Sequence, residues 1–433
     1  MTQLVWFRNN LRSIDNKALT EACKRKGAVA GIYCFDPRHY GETLYGFPKT
    51  GAFRAKFLLE TILDLQETLK KVNIPLYIST KKPEESLPDL VKKIHVSEIF
   101  TQKEWTSEEA TVTTNVKKAL PEDIQLKEYY DQFLFHPEDI PFEHWNNIPR
   151  VFTDFRKKFE KYGSVQNIIN SSLPLEQDNR GFPKNVNYSQ TVPALQDLGL
   201  QEPKLDSRTA FSFKGGETEG KKRMEDYIWN TQNIATYKQT RNGLIGKDYS
   251  SKFSAWLANG SLSPRMVYWE VKNFETEVKK NQDTYWMIFE LIWRDFFKYI
   301  SLKHGDKLFN IGGILGKNYD WGTSEVKKQQ WIKGNTKYDF VNANMKEIAA
   351  TGWMSNRGRQ NVGSFWAKEL QQDWRVGASY FESQLIDYDV HSNWGNWQYV
   401  SGVGNDPRDR KFNIEKQSER YDPDDAFIKL WLQ

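Results

Sequence analysis

Short apolar runs alternate with helical repeats over the first 130 residues, and this alternation constrains the fold more than any other feature. Four runs, at residues 4–7, 28–35, 75–78 and 97–100, have the length and apolar character of buried parallel strands. Between the second and third runs, apolar residues recur at the three- and four-residue spacings of an amphipathic helix. These residues are Phe53, Phe57, Leu58, Ile62, Leu65, Leu69 and Val72. Strands and helices in alternation predict a doubly wound parallel-sheet domain over residues 1–130.

The rest of the chain divides into a polar connection and a helical part. Residues 131–212 are rich in Pro, Asn, Asp and Ser. We expect a connector with a few short helices packed over other structure, because bare loops of that length are uncommon. From residue 213 to 433 the pattern is helical, with a helix start at Ser263-Pro264 and a buried helix over residues 286–300. The predicted fold class is therefore α/β plus all-α.

Several function classes are disfavoured by what the sequence lacks. No glycine fingerprint follows the first strand, so a dinucleotide-binding Rossmann function is disfavoured. Cys23 and Cys34 form no CxxC pair, and HExxH and serine-elbow motifs are absent, so we expect neither a metal site nor a serine nucleophile. We see neither a signal peptide nor an apolar run of membrane length, and we expect a soluble, cytoplasmic monomer without a membrane partner.

Four tryptophan-bearing segments in the last third combine carboxylates, arginines and indoles. They are residues 290–295, 355–361, 373–375 and 387–399. A plain core would use Leu, Ile and Val, so this density indicates a flat, redox-active ligand and a stacked base. The net charge of +5 permits a phosphate-bearing partner without requiring one.

Each group in these segments also has a plain structural interpretation. Glu290 and Trp293 share a helix face and could stack on a ring and bond its edge, but Glu290 could equally pair with a nearby arginine in the core. Arg357, Arg359, Asp387 and Asp389 could form ion pairs that set the charge and potential of a redox ring, or ion pairs that join two helices. The three serines within residues 249–254 suit a diphosphate, or a helix cap. Residues 406–413 could contact nucleic acid, or form a charge-neutralised loop.

The motifs together resemble the photolyase/cryptochrome family and, in detail, its cryptochrome DASH branch. The resemblance covers nearly the whole chain. It rests on WFRNNLR at 6–12, FPKTG at 47–51, FKGGE at 213–217, TRNG at 240–243, FELIWRD at 289–295, MSNRGRQNV at 354–362, DWR at 373–375 and residues 393–408. It implies an N-terminal α/β antenna domain and a C-terminal helical domain that binds FAD and a DNA lesion.

The resemblance also implies roles for individual residues around FAD. The FAD contacts would be Tyr237, Ser250, Ser251, Lys252, Phe253, Ser254, Arg359, Asp387, Asp389 and Asn393. Arg359 would pair with Asp387 beside the isoalloxazine, Asp389 would lie at its pyrimidine edge, and Asn393 would face N5. Trp397, Trp374 and Trp321 match the electron-transfer tryptophans of the family, although three packed core tryptophans would look identical in a sequence.

A flipped-out cyclobutane pyrimidine dimer would occupy the lesion pocket that the resemblance implies. Its lining would be Glu290, Trp293, Asn356, Gln360 and Tyr399, with Arg357, Arg408 and Arg410 on the DNA backbone. Extruding the dimer costs least in single-stranded DNA, which the DASH branch generally favours. Asn356 and Gln360 stand where six-four photolyases use histidines. The sequence also ends soon after the core motifs, whereas signalling cryptochromes usually carry long tails.

The resemblance therefore predicts a blue-light-dependent carbon–carbon lyase of the deoxyribodipyrimidine photolyase type, acting mainly on single-stranded DNA. The alternative is a blue-light photoreceptor that binds FAD and nucleic acid with little repair. A folate antenna, 5,10-methenyltetrahydrofolate, is implied too, with Glu109 as its carboxylate and Trp105 nearby to crowd or stack on it.

The sequence departs from the family pattern at a few places. TKYD at 336–339 replaces Thr-Gly-Tyr-Pro, Asn342 and Lys346 replace Asp and Arg, and Asn10 replaces Asp. We expect Lys337 and Asp339 to alter a loop beside the FAD domain, with an effect on local packing and flavin affinity.

Overall fold

A five-stranded parallel sheet forms the N-terminal part of the computed structural model, which describes residues 1–169 and 186–433. The strands are β1 (Thr2–Phe7), β2 (Ala28–Cys34), β3 (Leu76–Ser79), β4 (Val96–Gln102) and β5 (Gln125–Tyr129), and the helices between them are α1 (Lys17–Cys23), α2 (Ala52–Lys71), α3 (Pro83–Lys93) and α4 (Ser107–Ala119). The strand order is β3-β2-β1-β4-β5. The chain thus winds outward in both directions from β1, as predicted.

Alternate residues of the central strand face opposite sides of the sheet. Val5 and Phe7 pack with α1 and α2, whereas Leu4 and Trp6 pack with α3 and α4. A strand covered on both faces is rich in apolar residues, which is why the apolar runs within β1 to β4 could be predicted from their sequences.

Helices dominate the rest of the described chain. They are α5 (Phe152–Tyr162), α6 (Glu217–Glu225), α7 (Tyr237–Thr240), α8 (Ser254–Asn259), α9 (Pro264–Glu277), α10 (Gln282–His304), α11 (Glu325–Ile332), α12 (Asp339–Thr351), α13 (Asn356–Ser364), α14 (Trp374–Gln384), α15 (Val390–Ser401), α16 (Ile414–Tyr421) and α17 (Ala426–Leu432). π-Helical turns at Asp226–Asn230 and Phe365–Glu369 extend α6 and α13. In these residues and in the described N-terminal part, no helix has the length and hydropathy needed to cross a membrane.

The predicted helix start at Ser263-Pro264 and the predicted helix over residues 286–300 are both present. Ser263 caps α9, its hydroxyl accepting from the backbone N–H of Met266 at 3.0 Å, and Pro264 is the first residue of the helix. The predicted apolar stretch at residues 286–300 lies within α10, one side of which remains half-buried and carries Glu290 and Trp293.

The segment after β5 packs on the helical core. Phe133, Phe155 and Phe159 are buried against Tyr299 of α10. Both carboxylate oxygens of Asp295 accept from backbone N–H groups in this segment, those of Leu134 and Phe135, at 2.9 and 2.8 Å. Residues 170–185 of the predicted connector lie outside the described residues. The connector boundaries at 131 and 212 therefore stay a prediction.

A buried ionic network joins the sheet to the helical part. Arg12 pairs with Asp131 at 3.0 Å, and Arg265 of α9 pairs with Asp131 at 2.7 Å and with Asp15 at 2.9 Å. All four side chains are at most 2% exposed. Because each charge has a partner of opposite sign, the network fixes the two parts against each other without leaving a bare buried ion.

Candidate functional site

One cavity in the helical part collects most of the residues predicted for FAD. Its walls come from α7, the loop before α8, α10, the start of α13 and the turn before α15. The predicted site residues that line it are Tyr237, Ser250, Ser251, Lys252, Phe253, Ser254, Glu290, Asn356, Arg359, Asp387 and Asp389. The empty space within these walls is about 1140 Å³, a figure that includes open solvent.

Asp387 is held on two sides at the cavity wall. Nη2 of Arg359 donates to Oδ1 and Oδ2 of Asp387, at 2.9 and 3.0 Å, and the Ser254 hydroxyl donates to Oδ2 at 2.7 Å. The predicted Arg359–Asp387 ion pair is therefore present. Ser254 is the first residue of α8, but no side chain caps this helix, so the serine-rich loop is not an ordinary hydroxyl cap.

Asp389 pairs with a lysine of α10. Lys298 Nζ lies 3.0 Å from its Oδ2, and Oδ1 accepts from the backbone N–H of Ser392, which makes Asp389 the cap of α15. Burial opposes ionisation of this carboxyl, but Lys298, His391 and Arg294 outweigh burial and hold its pKa well below the ordinary range. Asp389 is therefore an anion at neutral pH.

Lys252 lies at the cavity wall with its charge unmatched by a hydrogen bond. The residue is 2% exposed, and Nζ lies over the ring of Tyr249, 3.2 Å from its centre. Nζ has no hydrogen-bond acceptor within residues 1–169 and 186–433. Burial lowers the pKa of Lys252, and burial raises the pKa of the nearby Glu347 to about 8 against the pull of Lys252 and Arg359. An anionic group entering the cavity would favour the charged form of Lys252.

Glu290 projects from α10 toward the cavity and is engaged by a cation. Nη1 of Arg241, in the turn after α7, donates to Oε1 of Glu290, and the guanidinium also lies 5.5 Å from the ring centre of Trp286. Burial raises the pKa of Glu290, while Arg241 and Arg357 oppose that rise. The structure thus combines both sequence interpretations of Glu290: the residue lines the cavity and also pairs with an arginine.

Asn242, next to Arg241 in the same turn, binds Arg357, which is a predicted DNA contact. Oδ1 of Asn242 accepts from Nε of Arg357 at 2.9 Å, and Nη1 of Arg357 donates to Oε1 of Gln360 at 2.7 Å. The turn after α7 therefore connects Glu290 with Arg357 and Gln360 of α13. Gln360 and Arg357 are not among the cavity-lining residues.

Trp293 and Tyr399 meet beside the cavity, but they do not line it. Their ring centres are 5.9 Å apart and nearly perpendicular. Phe152 of α5 stacks on Trp293 at 3.6 Å, so a connector residue covers one face of the indole. Nη2 of Arg410 donates to the Tyr399 hydroxyl at 3.2 Å, and Arg408 is exposed on the same loop.

Asn393 and the three predicted electron-transfer tryptophans lie outside the cavity lining. Nδ2 of Asn393 donates to Ala378 O at 3.0 Å, so Oδ1 is the remaining acceptor of the amide. Trp374 and Trp397 are buried, and Trp321 is half-buried. Other rings accompany these tryptophans: Trp331 lies 6.2 Å from Trp397, Trp394 lies 5.7 Å from Trp374, and Tyr319 lies 5.4 Å from Trp321.

Glu109, at the start of α4, lies outside this cavity. Burial and the nearby Glu104 raise its pKa to about 7. Its Oε2 is buried and accepts no hydrogen bond from the described residues. Trp105 stacks on His391 at 4.5 Å and on Phe133 at 5.3 Å, and its indole N–H donates to Ser301 at 2.8 Å.

The departures from the family pattern are accommodated locally. Asn342 accepts from the Thr336 backbone N–H at 2.7 Å and donates to Thr336 O at 2.9 Å, so its amide closes the loop with both of its groups. Lys337 is exposed and pairs with Glu369. Neither Asn342 nor Lys337 lines the cavity, so neither is placed to contact a ligand there directly.

Sequence reasoning did not identify Arg241 as the arginine that pairs with Glu290, and it missed Lys298 as the partner of Asp389. Arg241 lies within the TRNG motif at 240–243, and this motif could have indicated that Arg241 belongs to the site. Lys298 carried no such signal, because it lies 91 residues from Asp389 in the chain. Within residues 1–169 and 186–433, no group of three or more His, Cys, Asp or Glu side chains is placed to hold a metal ion.

Comparisons with known proteins identify the family. Residues 3–174 match the model of DNA photolyase, and residues 286–433 match the FAD binding domain of DNA photolyase. A cryptochrome DASH of Gloeobacter violaceus is 47% identical over 433 residues, which is all of this chain and 85% of that protein. The chain belongs to the cryptochrome DASH branch of the photolyase/cryptochrome family.

Solved structures agree with this family membership. The crystal structure of a Synechocystis cryptochrome matches with a TM-score of 0.94 at 46% identity, covering all of this chain and 88% of that one. An archaeal photolyase from Sulfolobus tokodaii, described with two FAD molecules, matches with a TM-score of 0.77 at 26% identity, covering all of this chain and 90% of that one. This cryptochrome DASH member therefore has the photolyase/cryptochrome fold and carries the family's FAD-binding domain.

The residues present fit FAD. Nζ of Lys252, which has no hydrogen-bond partner, and the hydroxyls of Ser250 and Ser251 suit a diphosphate, because they offer donors at the cavity wall and a bound anion would favour the charged form of Lys252. The Arg359–Asp387 pair and the Asp389 anion supply fixed charges on the same wall. We therefore assign the cavity as the candidate FAD site.

Proposed function

We propose that this cryptochrome DASH member repairs cyclobutane pyrimidine dimers by photoinduced electron transfer, preferentially in single-stranded DNA. One observation carries the proposal. Residues suited to FAD and residues suited to a base edge, Glu290 and Asn356, line the same cavity. A ligand in the FAD site and a flipped-out dimer in the mouth of the cavity would therefore be close enough for electron transfer.

The chain would divide the work among three groups of side chains. Glu290 would accept a hydrogen bond from the base edge, and Trp293 and Tyr399 would form an aromatic corner against the dimer. Arg357, Arg408 and Arg410 would contact the DNA backbone, where cations strengthen binding without reading sequence. Bound FAD would supply the light-excited electron donor, and Asn393 would offer its Oδ1 as an uncharged acceptor near it.

Glu290→Ala tests this assignment. We expect the variant to bind a dimer-containing oligonucleotide more weakly, because a charge-assisted hydrogen bond contributes about 1.5–3 kcal/mol, roughly 10–100-fold in affinity. Its FAD content should equal that of the wild type. The matched control is Glu277→Ala, on the exposed part of α9. Loss of flavin from Glu290→Ala at an unchanged fold, or unchanged repair, would contradict the proposal.

A photoreceptor with little repair activity is the second candidate. Two relatives that align with all of this chain are named cryptochrome DASH, and this name does not state a repair activity. A flavin-loaded protein that responds to blue light but repairs neither single-stranded nor duplex DNA would establish this candidate over the first. The monomeric state and the cytoplasmic location remain predictions.

We also propose Glu109 as the carboxylate of an antenna site for 5,10-methenyltetrahydrofolate. Its support is the unpartnered Oε2, which would accept from a pterin amine. Burial raises the pKa of Glu109 to about 7, and a hydrogen bond from a ligand donor would favour the ionised form against this effect. Glu109→Gln should lower the folate absorbance of the purified protein, or of the protein reconstituted with this folate, at unchanged FAD content. Equal folate binding by the variant would remove Glu109 from the site.

A further inference from the structure

Tyr319 stands at the surface in edge contact with Trp321. Their ring centres are 5.4 Å apart and their planes meet at 74°. Tyr319 is 37% exposed, whereas Trp374 and Trp397 are buried. Tyr319 is therefore the next aromatic ring beyond Trp321 toward the solvent.

The phenol of Tyr319 has a fixed proton acceptor. Its hydroxyl donates to Oδ2 of Asp409 at 2.9 Å, and it accepts from Nζ of Lys317 at 3.1 Å. Oδ1 of Asp409 accepts from Lys368. Burial opposes ionisation of Asp409, but hydrogen bonds from Lys368 and Tyr319 outweigh it and lower its pKa, so the acceptor is a carboxylate.

The indole N–H of Trp321, unlike the Tyr319 hydroxyl, has no proton acceptor among the described residues. This N–H group is also buried. An oxidised indole that cannot release its N–H proton stays a radical cation, which is the more strongly oxidising form. The ring in edge contact with it, by contrast, can release a proton directly into a hydrogen bond.

We propose that Tyr319 is the terminal electron donor of the tryptophan path and that Asp409 accepts its proton. This inference rests on the proposed function and on the tryptophan path that the family resemblance implies, in which light-driven reduction of the bound flavin would leave Trp321 as an oxidised indole. One electron passes from Tyr319 to Trp321, the phenol O–H bond breaks, and the proton bonds to Oδ2 of Asp409. Trp321 returns to its neutral closed-shell form, and Tyr319 becomes a neutral phenoxyl radical. A thiol in solution then gives this radical a hydrogen atom and becomes a thiyl radical, and Asp409 releases the transferred proton to water.

The surrounding cations explain why electron and proton would move together. Lys368 Nζ lies 5.1 Å and Lys317 Nζ 5.4 Å from the ring centre of Tyr319. A positively charged phenol radical beside two ammonium groups would be strongly disfavoured. Transfer of the proton to Asp409 keeps the ring neutral, so it removes this penalty.

Flash photolysis of the FAD-loaded protein, followed by transient absorption and electron paramagnetic resonance, tests the inference. We expect a tyrosyl radical in the wild type, its loss in Tyr319→Phe, and a longer-lived tryptophan radical in that variant. Asp409→Asn should slow formation of the tyrosyl radical, and the wild-type step should be slower in D₂O than in H₂O. Tyr338→Phe is the matched control, because Tyr338 also lies beneath a lysine but contacts Phe365 instead of an indole.

The outcomes separate this inference from the proposed function. If Trp321→Phe blocks flavin photoreduction while Tyr319→Phe leaves the radicals and their lifetimes unchanged, the Tyr319 step is wrong and the tryptophan path stands. If the tyrosyl signal is lost in Tyr338→Phe and kept in Tyr319→Phe, the assignment of the donor is wrong. If the wild-type flavin is not photoreduced at all, both the path and the Tyr319 step are wrong.

Discussion

Nη1 of Arg241 donates to Oε1 of Glu290, so the carboxylate proposed to read the dimer is already paired in the free protein. Both residues line the cavity, and the Arg241 side chain is 15% exposed and that of Glu290 is 30% exposed. A base edge must therefore share Glu290 with Arg241 or displace it. Burial raises the pKa of Glu290, and Arg241 opposes that rise.

Removal of this cation should make lesion binding depend on pH. In Arg241→Gln the pKa of Glu290 should rise further, because burial then acts with only Arg357 to oppose it. The rise in affinity for a dimer-containing single strand that accompanies ionisation of Glu290 should then occur at higher pH in the variant than in the wild type. Fluorescence anisotropy titrations from mildly acidic to mildly alkaline pH measure this. Arg241→Lys should restore the wild-type profile, and identical profiles for all three proteins would contradict the role of Arg241.

Lys252→Met should reduce FAD retention. The variant removes the unmatched ammonium at the cavity wall, and a charged hydrogen bond to a phosphate contributes about 1.5–3 kcal/mol, roughly 10–100-fold in affinity. Flavin absorbance after gel filtration, with a titration of FAD into the apoprotein, gives the affinity. Lys247→Met, at an exposed position five residues earlier, is the control. Equal affinity in both variants would place the diphosphate elsewhere.

The Asp389–Lys298 pair should give the protein an acid-sensitive component of stability. Because the folded-state pKa of Asp389 is lowered, its contribution is complete above the ordinary aspartate range near about 4 and is lost as pH falls toward the folded pKa. Asp389→Asn should cost about 3–5 kcal/mol at neutral pH, and less at acidic pH, while an asparagine can still cap α15. Urea unfolding at both pH values measures the two differences. A difference independent of pH would contradict the ionic origin.

Arg265→Met should unfold the protein more easily than removal of a surface arginine. It leaves Asp15 and Asp131 buried without their shared cation, at a cost of about 3–5 kcal/mol. Arg375→Met, which breaks the partly exposed pair with Asp373, should cost about 0–1 kcal/mol. Urea unfolding of both variants makes the comparison, and equal costs would mean that the network does not fix the sheet against the helices.

The parallel sheet was largely predictable, because strands covered on both faces contain apolar runs. β5 was missed for the converse reason. It forms the edge of the sheet, its side chains are mostly half-exposed, and QLKEY at 125–129 has no apolar run. The burial of Phe152 against Trp293 could not be predicted either, since α5 lies in a stretch that reads as a polar connector.

In the site, the sequence indicated which residue types are present, but only one of the pairings was predicted with both residues named. The Arg359–Asp387 pair followed from the family resemblance and is present. The pairing of Glu290 was predicted only as some nearby arginine, because Arg241 is 49 residues away in the chain and only the fold brings them together. Lys298 reaches Asp389 from a helix whose sequence reads as core, so nothing local indicated that contact.

Light-dependent repair of a thymine dimer by the photoreduced, FAD-loaded protein tests the central claim most directly, on single-stranded and duplex oligonucleotides side by side. We predict repair of the single strand and much weaker repair of the duplex, because extruding the dimer from a duplex costs additional unpairing and unstacking energy. Absence of repair on both substrates by a flavin-loaded protein would contradict the claim.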